Sequence, residues 1–465
     1  MKRATLVASI LLTLGGGALA CSAVPANGGG DGGAGSSSGG GSGSGSGGSS
    51  GSSSGTGSSS GSGSSSGTAT EGGTPCNTPT SSCAPANVAI APAATFPFPG
   101  SGTAVAVGDV NGDGKADLVV ADSTASAAMG LHVALSNGDG TFATPTAVAE
   151  STMGYEVVVA DFDSDCKDDI LVPSFDNSMN SPSVDLLLGN GDGTFQKPIT
   201  ADTQIGGANA FALVAADFNR DGKLDFALSS TTDGGIDVAL WSGNGFSPGT
   251  LVHGNDLHGS ASLGGLAAID LTGDGAAEIV TASGSDGVCV CPNDGNGGFS
   301  AAPKCFAGTP TYVSDTVALG DVDGDGKVDV ALGFGGNVAS GSGNIVDIFL
   351  GKGDGTFGSP VVVTHPDAFY GPVALVDVNN DHKLDLVTYY GTDGSGEIGN
   401  GFTVWLNDGK GHFPATPSTK YAAGGGPQQP AYGDFLGNGL VGMLAWNQVG
   451  NGAEHFQFLP ASCRK

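Results

Sequence analysis

The stretch DVDGDGKVD, Asp321 to Asp329, sets carboxylates at its first, third, fifth and ninth positions around two glycines. Six relatives of it lie along the chain: DVNGDGKAD from Asp109, DFDSDCKDD from Asp161, DFNRDGKLD from Asp217, DLTGDGAAE from Asp270, DVNNDHKLD from Asp377 and, in decayed form, DFLGNGLVG from Asp434. Successive copies begin 51 to 57 residues apart. A near-fixed period of this length signals one supersecondary unit used many times.

A second motif alternates with the first. It reads NGDGTF at Asn137–Phe142 and Asn190–Phe195 and KGDGTF at Lys352–Phe357, with variants ending at Phe246, Phe299 and Phe413. Apolar runs flank both motifs. In the first unit they are Thr103–Val107, Asp117–Ala121, Leu131–Leu135 and Ala143–Ala149. Short runs bounded by Gly/Asp turns read as antiparallel strands. Many are apolar on both faces, which suits strands sandwiched between neighbouring sheets. Four strands per unit, seven units and 84–465 to hold them predict an all-β seven-bladed β-propeller of four-stranded antiparallel blades. Closure is expected from pairing of Val88–Ala91 with His455–Leu459. An open solenoid would need polar caps, and both ends look apolar.

With six good copies, the chain resembles the FG-GAP/VCBS repeat family. That family forms the seven-bladed head of integrin alpha subunits and occurs in many bacterial surface proteins. The resemblance covers roughly Asn87 to Leu459. It implies a calcium cage in each intact loop, and it fixes neither ligand nor reaction.

Loop chemistry points the same way. Oxygens at positions 1, 3 and 5 of a tight loop can converge on one point, position 7 offers its carbonyl, and an acid at 9 closes the cage. Hard oxygens without His or Cys select Ca²⁺ over transition metals. The first loop offers Asp109, Asn111, Asp113, Lys115 and Asp117. The second offers Asp161, Asp163, Asp165, Lys167 and Asp169, and the third Asp217, Asn219, Asp221, Lys223 and Asp225. The fourth has Asp270, Thr272, Asp274, Ala276 and Glu278. The fifth has Asp321, Asp323, Asp325, Lys327 and Asp329, and the sixth Asp377, Asn379, Asp381, Lys383 and Asp385. About six calcium ions are expected. The seventh loop has Leu436 and Gly442 where oxygens are needed and is expected to be empty. Position 6, usually Gly, is Cys166 in the second loop and His382 in the sixth. If that position needs positive φ, both are strained.

The N-terminal part reads as an address and a leash. Met1–Ala20 has a basic start, an apolar run and small residues before Cys21, as an export signal does. Cys21 is expected to be lipidated, with secretion after simple cleavage as the alternative. Residues 21–83 then form a tether, almost wholly Gly and Ser between Asn27 and Thr74. A surface lipoprotein, held to the membrane by the lipid alone, is the expectation.

Charge excludes one class of partner. With 45 Asp+Glu against 15 Lys+Arg the net charge is −30, which opposes binding of DNA or RNA. The seven cysteines other than Cys21 are expected to pair in part: Cys83 with Cys463, and Cys305 with Cys289 or Cys291, while Cys76 could instead take Cys83. No catalytic motif of the HExxH or P-loop type occurs. The expected function is binding of an extracellular protein or glycan by a monomer, with no catalysis. The alternative is an enzyme acting on polysaccharide or phosphoester. Because strands alternate in direction, the acidic loops and GDGTF turns should share one face. Binding loops should lie on the other, including 122–130, 174–183, 253–262, 308–315, 334–343, 365–371 and 390–400.

Overall fold

In this computed structural model the described residues are 88–90, 94–98, 102–122, 130–148, 156–175, 182–204, 210–230, 235–252, 265–283, 287–309, 316–334, 345–365, 369–390, 401–422, 426–448 and 454–463. They form seven four-stranded antiparallel sheets and one short ribbon, with no helix among them. Blade 1 is β3 (Gly102–Gly108), β4 (Asp117–Asp122), β5 (Gly130–Ala134) and β6 (Thr146–Ala147). Blades 2 to 6 repeat it. Their first strands are β7 (Val158–Ala160), β11 (Ala210–Ala216), β15 (Leu266–Ile269), β19 (Thr316–Gly320) and β23 (Phe369–Val376). Blade 7 begins with β27 (Gly426–Gly433).

Apolar clusters show why the strands lack a polar face. Each of the seven lies between two neighbouring blades. Ala104 and Ala106 of β3 pack towards blade 2 with Val159 and Ile170. Their alternates Val105 and Val107 pack towards blade 7 with Ala431 and Leu444. Successive side chains point to opposite faces of a strand, so a blade between two others must be apolar on both. The cluster joining blades 1 and 7 closes the ring. Phenylalanines of the second motif sit in these seams. Phe142, for example, meets Phe96, Phe435 and Phe458 with centroids 5.4, 5.8 and 5.8 Å away.

Closure differs from the expectation in register. His455–Leu459 lies within β29 (Glu454–Leu459), but its partner is β2 (Ala94–Phe98), which becomes the fourth strand of blade 7. β1 (Val88–Ile90) pairs instead with β30 (Ala461–Cys463), with Val88 opposite Cys463. Blade 7 supplies only three strands from its own repeat. The fourth must come from the other chain end, and β2, with Phe96 packed in the blade 1–7 cluster, fills that place.

Cys305 pairs with Cys289, its opposite number across β17 (Gly287–Cys291) and β18 (Lys304–Phe306), with Cα atoms 4.0 Å apart. Cys291 is free and buried, and burial pushes its thiol up to about 12. Cys463 is disulfide-bonded, as is Cys166. The expected partner Cys83, with Cys76, Cys21, the leader and the tether, lies outside the described residues.

Candidate metal loops

Each acidic loop joins the first and second strands of its blade. Its first residue shapes it. In loop 1 Asp109 accepts the Asp113 N–H at 3.0 Å and the Gly114 N–H at 2.7 Å. The same pair of bonds holds loop 2 to Asp161, loop 3 to Asp217, loop 4 to Asp270, loop 5 to Asp321 and loop 6 to Asp377. Side-chain capping of backbone N–H groups is what Asp does well in turns. Two positions are left-handed. Position 6 has φ from 62° to 89°, including Cys166 at 66° and His382 at 62°. Position 4 is also left-handed, and there Ser164, Arg220 and Asn380 each have φ of 62°. The expected strain at position 6 is present, and the sequence reading missed position 4.

The ninth residue is the buried one. Asp117, Asp169, Asp225, Glu278, Asp329 and Asp385 are all at most 3% exposed. One carboxylate oxygen accepts an N–H from just ahead of the second motif: Ser136 to Asp117, Gly189 to Asp169, Trp241 to Asp225, Gly351 to Asp329 and Asn407 to Asp385, at 2.6 to 2.9 Å. In loops 2 to 6 the other oxygen accepts the N–H of position 2. In every one of these loops but the fourth, this acid therefore joins the two turns of a blade. Burial, partly offset by these bonds, pushes each of the six up to about 7. Carboxylates held dry beside other carboxylates are the setting in which a cation is most stabilising.

Convergence is tightest in two loops. Asp161, Asp163 and Asp169 each place an oxygen within 4.8 Å of the others, and so do Asp321, Asp323 and Asp325. An all-oxygen set in a turn of this kind fits a hard divalent cation such as calcium. Position 3 has Asn111, Asn219 and Asn379 where loops 2 and 5 have Asp, and Thr272 in loop 4 lies 3.5 Å from Glu278 Oε1. Loop 7 keeps Asp434, whose carboxylate accepts the Asn438 and Gly439 N–H groups, and has no carboxylate at 3 or 9.

The sequence reading gave position 7 only a carbonyl. Its side chain also acts. Lys115, Lys167, Lys223, Lys327 and Lys383 each place Nζ on the position-5 Asp of their own loop. Loop 4 has Ala276 there, and Arg220 of loop 3 reaches across to Asp274 instead. These pairs are half-exposed, and contacts of that kind contribute about 0.2–1 kcal/mol. Alternating Lys and Asp in one loop was readable in sequence; the crossing arginine was not, since it joins residues 54 apart.

The second motif packs on the same end of the molecule. Gly193 N–H donates to the Val110 carbonyl of the preceding loop, and Gly411 N–H to that of Val322. Asn293 and Asn407 bond the carbonyls of Phe218 and Val322 in the same way. Loops and GDGTF turns thus share a face and are stitched from blade to blade. Asp168 adds a link by accepting the Asp109 N–H at 2.7 Å. Elsewhere, buried Asp347 of blade 5 accepts the N–H and hydroxyl of Thr309 at 2.6 and 2.8 Å. That bond ties down the chain leaving blade 4. Most of the loops expected to bind a partner lie outside the described residues.

Fold and loops together define a class: seven-bladed β-propellers with an acidic turn between the first two strands of a blade. The family model of the FG-GAP-like repeat matches residues 109–172, 176–228 and 270–332, which include loops 1 to 5. Three stretches of this propeller thus match FG-GAP-like repeats. No curated protein matches the sequence. Among solved structures, a provisionally assigned 6-phosphogluconolactonase from Bacteroides uniformis has 15% identity and a TM-score of 0.50, over 73% of this chain and 94% of that one. At that identity the likeness speaks for fold alone. The Photorhabdus luminescens Tc holotoxin pore has 16% identity and a TM-score of 0.35, over 76% of this chain and 18% of that one. So slight a likeness bears on nothing further.

Proposed function

We propose that this protein is a calcium-stabilised propeller, exported and lipid-anchored through Cys21, that binds an extracellular protein or glycan and catalyses nothing. The observation that carries the calcium part is the convergence of three carboxylates within 4.8 Å in loops 2 and 5. Residues at positions 1, 3, 5 and 9, with the carbonyl at 7, would hold the ion, which would supply charge neutralisation and cross-link each turn. Support for binding comes from the scaffold: a rigid ring whose acidic loops are committed to structure on one face leaves the other face's loops free to vary, as binding loops do. The net charge of −30 keeps nucleic acid from being a partner.

Elemental analysis of the purified protein should find about six calcium ions, and chelation should lower the melting temperature. At a hundredfold excess of calcium over Kd each site contributes about 2.7 kcal/mol. A protein that retains no calcium and melts identically in chelator would refute the reading. A glycan array and a surface-protein pull-down with the propeller would test the partner class.

A further inference from the structure

We infer that in blade 7 the two ends of the chain take the place that a cation takes in the other loops, and so seal the ring's seam without metal. This rests on the calcium reading above, and it goes beyond the expectation that loop 7 is empty. Asp434 shapes loop 7 as position 1 shapes the rest. Everything after it departs in one direction. At position 5, Asn438 Oδ1 accepts the Leu440 N–H, as the Asp there does in other loops. Its Nδ2 instead donates to the Ala461 carbonyl of β30 at 3.0 Å. At position 7, Leu440 replaces the usual Lys and packs with Ala461, Val88 and Ile90 of the ribbon. At position 3, Leu436 packs in the cluster between blades 1 and 7.

Position 9 is crowded against β29. A Cβ on Gly442 would stand 3.0 Å from the Phe458 ring and 3.2 Å from the Leu459 carbonyl. Positions 5, 7 and 9 thus face β30, β1 and β29, and position 3 faces the blade 1–7 cluster. The loop that has lost its cage is the one beside the place where the chain's ends meet. A seam that depended on dissociable ions would open when calcium fell. A seam held by strand pairing and an apolar plug does not.

Hydrogen exchange of the full-length protein, with and without chelator, tests this. The position-6 amides of Gly114, Cys166, Gly222, Gly275, Gly326 and His382 should exchange at least roughly tenfold faster after chelation, through local opening. The Gly439 amide should not change. Ile90→Asp should speed Gly439 exchange without altering calcium content. Asn438→Asp, a milder change that sets a carboxylate against the Ala461 carbonyl, should do the same. A Gly439 amide that quickens with the other six on chelation would overturn the inference. So would one that stays slow in both variants. If chelation moves no loop and no calcium is carried, the metal reading fails and the substitution with it; the variants would then still report whether the ribbon shields loop 7.

Discussion

At the residue scale the loops are governed by where the chain must turn left-handed. Gly114, Gly222 and Gly326 have open space where a Cβ would stand, so at position 6 only φ penalises a side chain. His382 adopts φ of 62° there and is exposed. His382→Gly should therefore stabilise the protein by about 1 kcal/mol, the cost of holding an L-residue in that region. Chemical denaturation will show it as a higher midpoint with an unchanged slope. Cys166→Gly is not an equivalent test, because Cys166 is disulfide-bonded. A second comparison separates turn-shaping from metal-holding. Asp434→Ala removes an acceptor of two N–H groups and should cost stability equally with and without calcium. Asp325→Ala should cost more in calcium than in chelator, as measured by paired thermal melts.

At the element scale the acid at position 9 is a joint between two turns as well as a candidate ligand. Burial raises all six to about 7, above the ordinary carboxylate value near 4. Between those two pH values the folded, metal-free protein holds protons that the unfolded chain has released. Stability of that form is therefore greatest below about pH 4 as far as these groups are concerned, and falls as pH rises through 7. Bound calcium would invert the trend, because its ligands must be deprotonated. In chelator the melting temperature should decline from about pH 5 to pH 8; in calcium it should rise over the same window. Parallel profiles in the two media would contradict a role for these acids in holding metal.

At the scale of the whole molecule the ring depends on its first strands. β2 completes blade 7 by pairing residue for residue with β29, from Ala94 opposite Phe458 to Phe98 opposite Glu454. Removing everything before Pro75, which keeps Cys76 and Cys83, should leave the melting temperature unchanged. Removing everything before Gly102 exposes the edge of β29 and unseats Phe96 from its cluster. An unpaired strand edge of this kind promotes association between chains. The shorter protein should melt lower and elute from size-exclusion chromatography as aggregate, and a monodisperse monomer with normal melting would show the closure to be dispensable.

The repeat, its period and the two turn motifs were enough to read seven blades of four strands, because a propeller is one local pattern copied. The six intact acidic loops and the failing seventh were legible for the same reason: their oxygens lie within nine residues of one another. What tertiary structure alone decided is what joins distant positions. Arg220 substitutes for the missing lysine of loop 4 from 54 residues away. Cys289 rather than Cys291 takes Cys305, because strand register puts it directly opposite. Both ends of the chain looked apolar and able to pair, yet which strand met which was misread by one segment. An apolar alternation fixes the face that a strand buries, but its neighbour is chosen by the space the other strands leave, and in a closed ring that space is known only when the ring is complete.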